Sequence, residues 1–353
     1  MHSSRRRMIA CAAPLLAACA SDLTRHRGTP LAELARSLGV CAATYATLRG
    51  GRVQAPIALS GCADGPSPPT DAIFQAASLT KPVVANAVLR LVLSGQLDLR
   101  APVSRYLPRG YVHFHSVLAR RPGDPSDLMD AGALSRLPLG TLLNHTSGLP
   151  NWSAKPMAPD TAPGARWQYS GEGYMLLQAV VEAVGGQPFE RVMAATVFEP
   201  SGMRDSSLTF PAAEAARTQA GQSGVLSPRP ARFESPVAAA SLYTTAEDYA
   251  RFLAAFLADA RLVATAMSVP VPADADLRLE WGYGWGIERT ARGATLWQWG
   301  NNPGFRAFAM VSPESGDGFV VLTNSERGMA MAVPLAQEVL PGEHPAFRFR
   351  MVG

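Results

Sequence analysis

Lysine occurs at two positions in this chain of 353 residues, against 30 arginines, and one of the two is Lys81, three residues after Ser78. A spacing of three brings two side chains to one face of a helix. Arginine would serve wherever only positive charge is needed, but it cannot act as a base, whereas a buried lysine can. A neutral lysine can take the proton of a serine hydroxyl and so activate the oxygen as a nucleophile. Ser-x-x-Lys also occurs by chance, so the pattern needs its context.

The residues that follow Ser78 predict a buried helix. Pro82 is tolerated only in the first turn of a helix, and Gly95 is a suitable C-terminal cap. The almost wholly apolar stretch between them favours a position in the core. Ser78 would then lie at the helix N-terminus, where the dipole and free amides stabilise developing negative charge.

Length and composition predict one large globular domain or two closely packed ones. Hydrophobic residues make up 47% of the chain and charged residues 17%, which excludes a disordered protein. The formal net charge is +4, and Arg5, Arg6 and Arg7 contribute three of the positive charges. The rest is nearly neutral, so we expect no nucleic-acid partner. We also expect a monomer without a cofactor.

Residues 1–19 read as an export signal. Three arginines precede an apolar stretch, residues 8–18, that is too short to span a bilayer. Residues 16–19 resemble a bacterial lipobox, in which Cys19 is lipidated, and this motif fits better than the alternative, ordinary cleavage after Ala20. Residues 4–6 weakly resemble a twin-arginine signal. All three interpretations predict export across the inner membrane. The lipoprotein would be attached to the outer membrane by its lipid anchor alone, and the other forms would lie in the periplasm.

Two further cysteines, Cys41 and Cys62, flank a predicted hairpin that turns at Gly50 and Gly51. Antiparallel pairing would bring them together, and an oxidising compartment would allow a disulfide. Two buried free thiols are an equal alternative. Cysteine catalysis is not expected, because no histidine lies near either residue in the sequence.

Apolar periodicity predicts the order of the secondary structure. After a linker and first helix in residues 20–40, we predict one catalytic domain at 41–353. Residues 41–98 and about 240–353 would form its α/β part, and about 99–239 a mostly helical insert. Predicted helices lie at 31–38, 81–94, 174–185 and 242–257, the last capped by Thr244 or Thr245. Predicted strands lie at 41–48, 52–59, 281–288, 294–299, 306–312 and 318–324. Both ends of the chain would therefore contribute to one sheet.

Three separated segments together resemble the serine β-lactamase-like superfamily of class C β-lactamases, D-alanyl-D-alanine carboxypeptidases and related esterases. They are residues 78–81, 163–177 and 297–306, and residues 95–108, 142–150 and 200–203 agree with them. The resemblance extends from about residue 40 to 325. It implies a β-lactamase/transpeptidase-like α/β fold of the α+β type, with an antiparallel sheet flanked by helices.

The resemblance also implies catalytic roles. Ser78 would be the acylated nucleophile, and Lys81 and Tyr169 would share the general acid and base work, with Lys81 lowering the pKa of Tyr169. The backbone amides of Ser78 and Asn301 would form the oxyanion hole. Without Ser78 and Lys81, Tyr169 would be read as an ordinary aromatic residue beside a helix start.

Two departures from the family pattern concern substrate binding. Gly171 stands where the family has an asparagine that contacts a substrate amide. Gln298, Trp299 and Gly300 stand where the family has Lys-Thr-Gly or a His-x-Gly variant, so the charge that attracts a carboxylate is missing. Arg306 could replace that charge, or it could be a surface arginine at a strand start. These changes shift the expectation toward esters or an unusual amide.

Histidines offer two other sites. His113 and His115 could bind a metal, but two histidines without a third ligand are more often incidental, so we expect no metal. His145 could suggest a triad, but the same stretch is a structural turn in the family that the chain resembles. The chain contains no Gly-x-Ser-x-Gly, which argues against an α/β-hydrolase.

The sequence thus predicts an exported serine hydrolase that forms an acyl-enzyme on Ser78 and acts on a small ester or amide, most simply as a carboxylesterase. A D-amino-acid peptidase or β-lactamase is the first alternative. A non-catalytic lipoprotein that binds cell-wall fragments is the second. The segments 108–165 and 205–240 are expected to set specificity.

Overall fold

The computed structural model describes residues 23–63, 67–118, 120–224 and 228–352. The predicted export signal, including Cys19, lies outside them. Among the helices in these four ranges, none combines the length and the apolar character needed to cross a bilayer.

A nine-stranded antiparallel sheet forms the centre of the molecule. Its N-terminal strands are β1 (Ala43–Arg49), β2 (Arg52–Val53) and β3 (Ile57–Leu59), and the last two both pair with β1. The other strands come from the C-terminal part: β8 (Val271–Asp274), β9 (Leu279–Trp281), β10 (Gly286–Thr290), β11 (Gly293–Asn302), β12 (Phe305–Val311) and β13 (Gly318–Thr323). Because β1 pairs with β13, the two ends of the chain close one sheet, as predicted.

Helices cover both faces of this sheet. They are α1 (Leu31–Leu38), α2 (Thr80–Leu93), α3 (Ala131–Leu134), α4 (Leu139–Leu143), α5 (Gly171–Gly185), α6 (Phe189–Met193), α7 (Glu199–Ser201), α8 (Ala246–Ala258), α9 (Ala260–Ala266) and α10 (Ala332–Val339). The larger core contains α2, α5 and α8, and the smaller core contains α1 and α10. In β11, Leu296 faces the first core, whereas Trp297 and Trp299 face the second. This alternation turns Gln298 toward α2.

The predicted insert is less helical than expected. Besides α3 to α7 it contains a separate hairpin of β5 (Tyr111–Phe114) and β6 (Ser126–Met129). A second small sheet pairs β4 (Phe74–Ala77) with β7 (Leu242–Thr244), one strand on each side of the insert. These two small sheets were not predicted, because strands of three or four residues are too short for a periodic signal.

Among the predicted elements whose boundaries differ, two change in type or number. The helix predicted at 242–257 begins at Ala246, because Thr245 caps it by accepting a hydrogen bond from the Asp248 amide, and the residues before it form β7. The strand predicted at 281–288 is two strands joined by a turn. The turn requires Gly284, which has φ +90° and lies so close to Ala85 in α2 that a side chain would collide with it.

The predicted N-terminal hairpin forms, but it is interrupted. Gly50 and Gly51 turn the chain with φ of +54° and +77°, values that favour glycine. The returning strand breaks between β2 and β3. At its end the structure joins Cys41 and Cys62 by a disulfide, with their Cα atoms 4.8 Å apart.

Candidate active site

Ser78 lies in the turn between β4 and α2, half-exposed in an otherwise buried stretch. The preceding residue, Ala77, has φ +50°, which is uncommon for a residue with a side chain. The hydroxyl of Thr80 donates to the Ala77 carbonyl at 2.6 Å and accepts from the Leu242 amide at 2.9 Å. These bonds tie the serine turn to β7 and fix the direction in which Ser78 points.

Lys81 lies in the first turn of α2 and its side chain is 1% exposed. Its Nζ is 3.1 Å from Ser78 Oγ and donates to the Ala239 carbonyl at 2.8 Å. Burial lowers the pKa of Lys81 from 10.5 to about 7, because the charged form loses its hydration. A neutral amine that donates to Ala239 has its lone pair free to accept the Ser78 proton.

Two rings pack against the ring of Tyr169. The ring centroid lies 4.4 Å from that of His145 and 4.9 Å from that of Trp299. The Tyr169 hydroxyl accepts a hydrogen bond from Gln298 Nε2 at 3.1 Å and is also hydrogen-bonded to the Ser78 side chain. The three groups predicted to work together, Ser78, Lys81 and Tyr169, are therefore brought together.

The expected effect of Lys81 on Tyr169 is wrong. Lys81 Nζ lies 4.7 Å from the Tyr169 ring centroid, but burial raises the pKa of the phenol above its ordinary value. Hydrogen bonds with Ser78 and Gln298 oppose this rise without reversing it. Because Lys81 is itself driven toward the neutral amine, it supplies little positive charge to stabilise a phenolate. Tyr169 is thus a protonated phenol near neutral pH, suited to donate a proton.

His145 supports this arrangement from behind. It has φ +59°, and its Nδ1 accepts a hydrogen bond from the Ser170 amide at 3.1 Å. Burial, with a contribution from Lys81, lowers the pKa of His145 well below its usual range, so the ring is neutral. These contacts agree with the structural turn inferred from the sequence: His145 positions Tyr169 and the start of α5.

The end of β11 packs against the serine turn. A side chain at Gly300 would collide with the Ala76 carbonyl and would lie 3.2 Å from the Ala77 Cβ. Only glycine lets the two backbones approach so closely. The backbone of Asn301 therefore lies beside the turn that carries Ser78, as a shared oxyanion hole requires.

Three residues predicted to bind substrate are placed differently. Gln298 is fully buried and donates to Tyr169 and to the Ser78 carbonyl, the latter at 3.3 Å, so it orients catalytic groups. Trp299 is buried in the smaller core behind Tyr169. Arg306 donates to the Asn302 and Phe305 carbonyls at 3.0 and 2.8 Å. Its guanidinium thus donates to backbone carbonyls beside it. The sequence suggested either a cation for the substrate or a surface arginine, and this arrangement is a third one.

Gly171 is in contact with residues that the sequence did not single out. A Cβ at this position would lie 2.7 Å from both the Asn151 carbonyl and the Trp152 ring. The Gly171 amide donates to the Asn151 side-chain oxygen at 3.0 Å. An indole and a backbone carbonyl thus occupy the space that a side chain at this position would need.

An apolar cavity of about 270 Å³ opens beside Asn301. Both segments expected to set specificity contribute to it. Its described lining includes Val117, Leu118, Trp152, Phe233, Ala240 and Arg229, the last an exposed residue. Arg229 is the one charged residue in the described part of the cavity wall. A concave, mostly apolar wall with a few polar groups is typical of a small-molecule site.

Two residues of the site have no sequence signal that would reveal them. Ala239 acts through its carbonyl, which any residue would supply. Trp152 follows the residues that resemble the family, but its place beside Gly171 depends on the path of a loop.

Comparisons with known proteins agree with this geometry. The family model "Beta-lactamase" matches residues 33–341. Esterase EstB of Burkholderia gladioli is 35% identical over 167 residues, and the match covers 38% of this chain and 38% of the esterase. Penicillin-binding protein 4 of Amycolatopsis lactamdurans is 25% identical over 318 residues, with 77% of each protein covered.

Solved structures share the fold. A class C beta-lactamase superposes with a TM-score of 0.69 at 17% identity, over 90% of this chain and all of that one. A D-stereospecific amidohydrolase from Streptomyces gives 0.66 at 19% identity, over 91% and 99% of the two chains. The predicted β-lactamase/transpeptidase-like fold is confirmed. The chain belongs to the beta-lactamase family and is a serine hydrolase of that family.

Proposed function

We propose that this protein is a carboxylesterase that transfers the acyl group of a small ester to Ser78 and then to water. The observation that carries this proposal is the apolar cavity beside Asn301, combined with a serine, a lysine and a tyrosine in hydrogen-bonded contact. The loss of the family's asparagine at Gly171 and of its cation at Gln298 removes two contacts suited to peptides and β-lactams. The partial match to an esterase supports the same conclusion.

Acylation follows from the contacts of Lys81. Its neutral amine takes the Ser78 proton as Oγ attacks the ester carbonyl carbon, and the amides of Ser78 and Asn301 receive the negative charge on the carbonyl oxygen. The bond to the leaving alcohol then breaks. Tyr169, a protonated phenol bonded to Ser78, passes a proton to the alkoxide and regains one from the Lys81 ammonium.

Deacylation reverses these proton transfers. A water molecule attacks the acyl carbon as its proton passes to Lys81, and the bond to Ser78 Oγ breaks. The Lys81 ammonium returns a proton to Ser78 Oγ and becomes the neutral amine again, and the carboxylic acid leaves. No protein group changes its net protonation over the full cycle.

A substrate panel tests the proposal. Purified protein is assayed with p-nitrophenyl acetate, butyrate and octanoate, with the chromogenic cephalosporin nitrocefin, and with a peptide that ends in D-alanyl-D-alanine. The proposal predicts ester hydrolysis at a kcat/KM at least about 100-fold above those of the other two classes, a difference of about 2.7 kcal/mol in transition-state binding. Faster hydrolysis of nitrocefin or the peptide would contradict it.

A D-amino-acid peptidase is the second candidate, and one observation favours it. Arg229, at the rim of the cavity, could bind the carboxylate of a peptide terminus. Replacement of Arg229 by alanine would then reduce peptide hydrolysis about 10-fold or more and leave p-nitrophenyl ester hydrolysis unchanged. Equal effects on both substrates would remove this candidate.

Export remains part of the proposal. The residues 1–19 described above and the pairing of Cys41 with Cys62 support a location outside the cytoplasm. Fractionation of cells that express the full chain, combined with labelling by a radioactive fatty acid, tests both forms of export. Label that disappears in Cys19→Ala supports the lipoprotein, and unlabelled periplasmic protein supports the soluble form.

A further inference from the structure

Outside the proposed active site, three ligand-type side chains meet on the hairpin of β5 and β6. His113 and His115 are two residues apart on β5 and so face the same side, and Asp127 on β6 is paired directly with His113. Asp127 Oδ1 lies 2.7 Å from His113 Nδ1 and 3.0 Å from His115 Nε2. One ligand atom from each residue lies within 4.8 Å of the other two.

The surroundings of this cluster hold its members in place. His113 is 1% exposed, and its other ring nitrogen, Nε2, lies 3.4 Å from the buried carboxylate of Glu172. Asp127 Oδ2 accepts from the Met157 amide at 3.1 Å, and Glu172 accepts from the Ser153 amide at 3.0 Å. A histidine that binds metal through one nitrogen usually donates the other N–H to a carboxylate. His113 has that partner.

We propose that His113, His115 and Asp127 bind a zinc ion, independently of the substrate of Ser78. The ligand atoms would be His113 Nδ1, His115 Nε2 and Asp127 Oδ1, a set of imidazoles and a carboxylate that zinc accepts. His115 is 25% exposed, so water can reach the fourth position of a tetrahedral ion. Zinc bonds of about 2.0–2.2 Å would place Asp127 Oδ1 slightly farther from the two histidine nitrogens than the 2.7 and 3.0 Å of the hydrogen bonds.

The sequence alone does not predict this site, because the third ligand is far from the two histidines along the chain. Asp127 is 14 residues from His113 along the chain, and only the register of the hairpin brings them together. Bound zinc would link this hairpin, through His113 and Glu172, to the first turn of α5. Ser153 bonds to Glu172 and is next to Trp152 in the chain, and Gly171 is next to Glu172. The ion would therefore stiffen the wall of the cavity that contains Trp152.

The alternative is a cluster held by hydrogen bonds alone, with Asp127 accepting from both histidines. The two arrangements differ in measurable ways. Protein freed of metal by a chelator and dialysis is titrated with Zn²⁺ by calorimetry, and a parallel sample with Co²⁺ is followed by visible absorption. We expect one equivalent of zinc at micromolar Kd or tighter, the absorption of tetrahedral cobalt, and a melting temperature that rises with zinc concentration.

His115→Ala is the informative variant, because His115 is partly exposed and its loss leaves the bonds between His113 and Asp127 in place. It should bind zinc about 100-fold more weakly and lose the cobalt absorption, while folding as the wild type does by circular dichroism. His26→Ala, which alters a histidine outside the cluster, should bind like the wild type. Less than half an equivalent of zinc in the wild type, or unchanged affinity in His115→Ala, would overturn the proposal in favour of the hydrogen-bonded cluster.

Discussion

The Trp152 ring lies 2.7 Å from the position that a Cβ on Gly171 would occupy. This single contact changes the character of the site, because the family pattern places an asparagine here. The indole fills the space beside Gly171 and adds apolar surface to the cavity wall. Gly171 and Trp152 are therefore coupled: a side chain at residue 171 would displace the Trp152 ring, and a smaller residue at 152 would leave space beside Gly171.

The first prediction concerns Gly171. Gly171→Ala should destabilise the protein by about 1–3 kcal/mol, because its Cβ collides with the Asn151 carbonyl as well as with Trp152. Gly173→Ala, two residues further along α5, meets its nearest atom at 3.3 Å and should change stability far less. Urea unfolding of the two variants measures the difference. Equal stability of the two would contradict the close packing of Trp152 on Gly171.

The second prediction concerns the width of the cavity. Trp152→Ala should raise kcat/KM for p-nitrophenyl octanoate relative to the acetate by about 10-fold, because the removed indole leaves room for a longer acyl chain. Trp152→Phe should fall between the alanine variant and the wild type. A chain-length profile unchanged in Trp152→Ala would show that the acyl group does not occupy this cavity.

The third prediction follows from the pKa of Lys81, which is lowered to about 7. The reactive form is the neutral amine, so kcat/KM should rise with pH through about 7 and fall roughly 10-fold for each pH unit below it. Lys81→Arg keeps a positive charge but cannot lose its proton, and it should reduce kcat/KM by about 10³-fold or more. A pH-independent rate between about pH 5 and 8 would exclude Lys81 as the base.

The fourth prediction separates two buried tyrosines beside Lys81. The rings of Tyr169 and Tyr174 lie 4.7 and 5.5 Å from Lys81 Nζ, but only the Tyr169 hydroxyl is bonded to Ser78 and Gln298 within the described structure. The Tyr174 hydroxyl donates to the Leu143 carbonyl at 3.3 Å. Tyr169→Phe should reduce kcat by about 10²–10⁴-fold, whereas Tyr174→Phe should have little effect. Similar losses in both variants would indicate a packing effect.

Local features of the site could be predicted from the sequence. The contact of Ser78 with Lys81 follows from the geometry of one helical turn, and Pro82 and the apolar stretch after it fix where that helix begins. The family resemblance of the segments around Tyr169 and Asn301 then implied which distant residues join the site. Only the first inference depends on a pattern contained within a few residues.

Features that depend on packing between distant segments could not be predicted. Gln298 has the side chain of a surface residue, but strand alternation turns it into the core, where it bonds to Tyr169. The raised pKa of Tyr169 results from burial by His145 and Trp299, which no spacing reveals. Asp127 joins His113 only through the register of a short hairpin. In each case the decisive neighbour is far away in the sequence.

The most direct test of the account is the hydrolysis of p-nitrophenyl butyrate by the purified protein and by Ser78→Ala, with the acyl-enzyme sought by mass spectrometry after rapid acid quenching. The account predicts turnover by the wild type, a loss of about 10⁴-fold or more in Ser78→Ala, and an acylated peptide that contains Ser78. Undiminished hydrolysis by Ser78→Ala, or an acyl group on another residue, would contradict the assignment of Ser78 as the nucleophile.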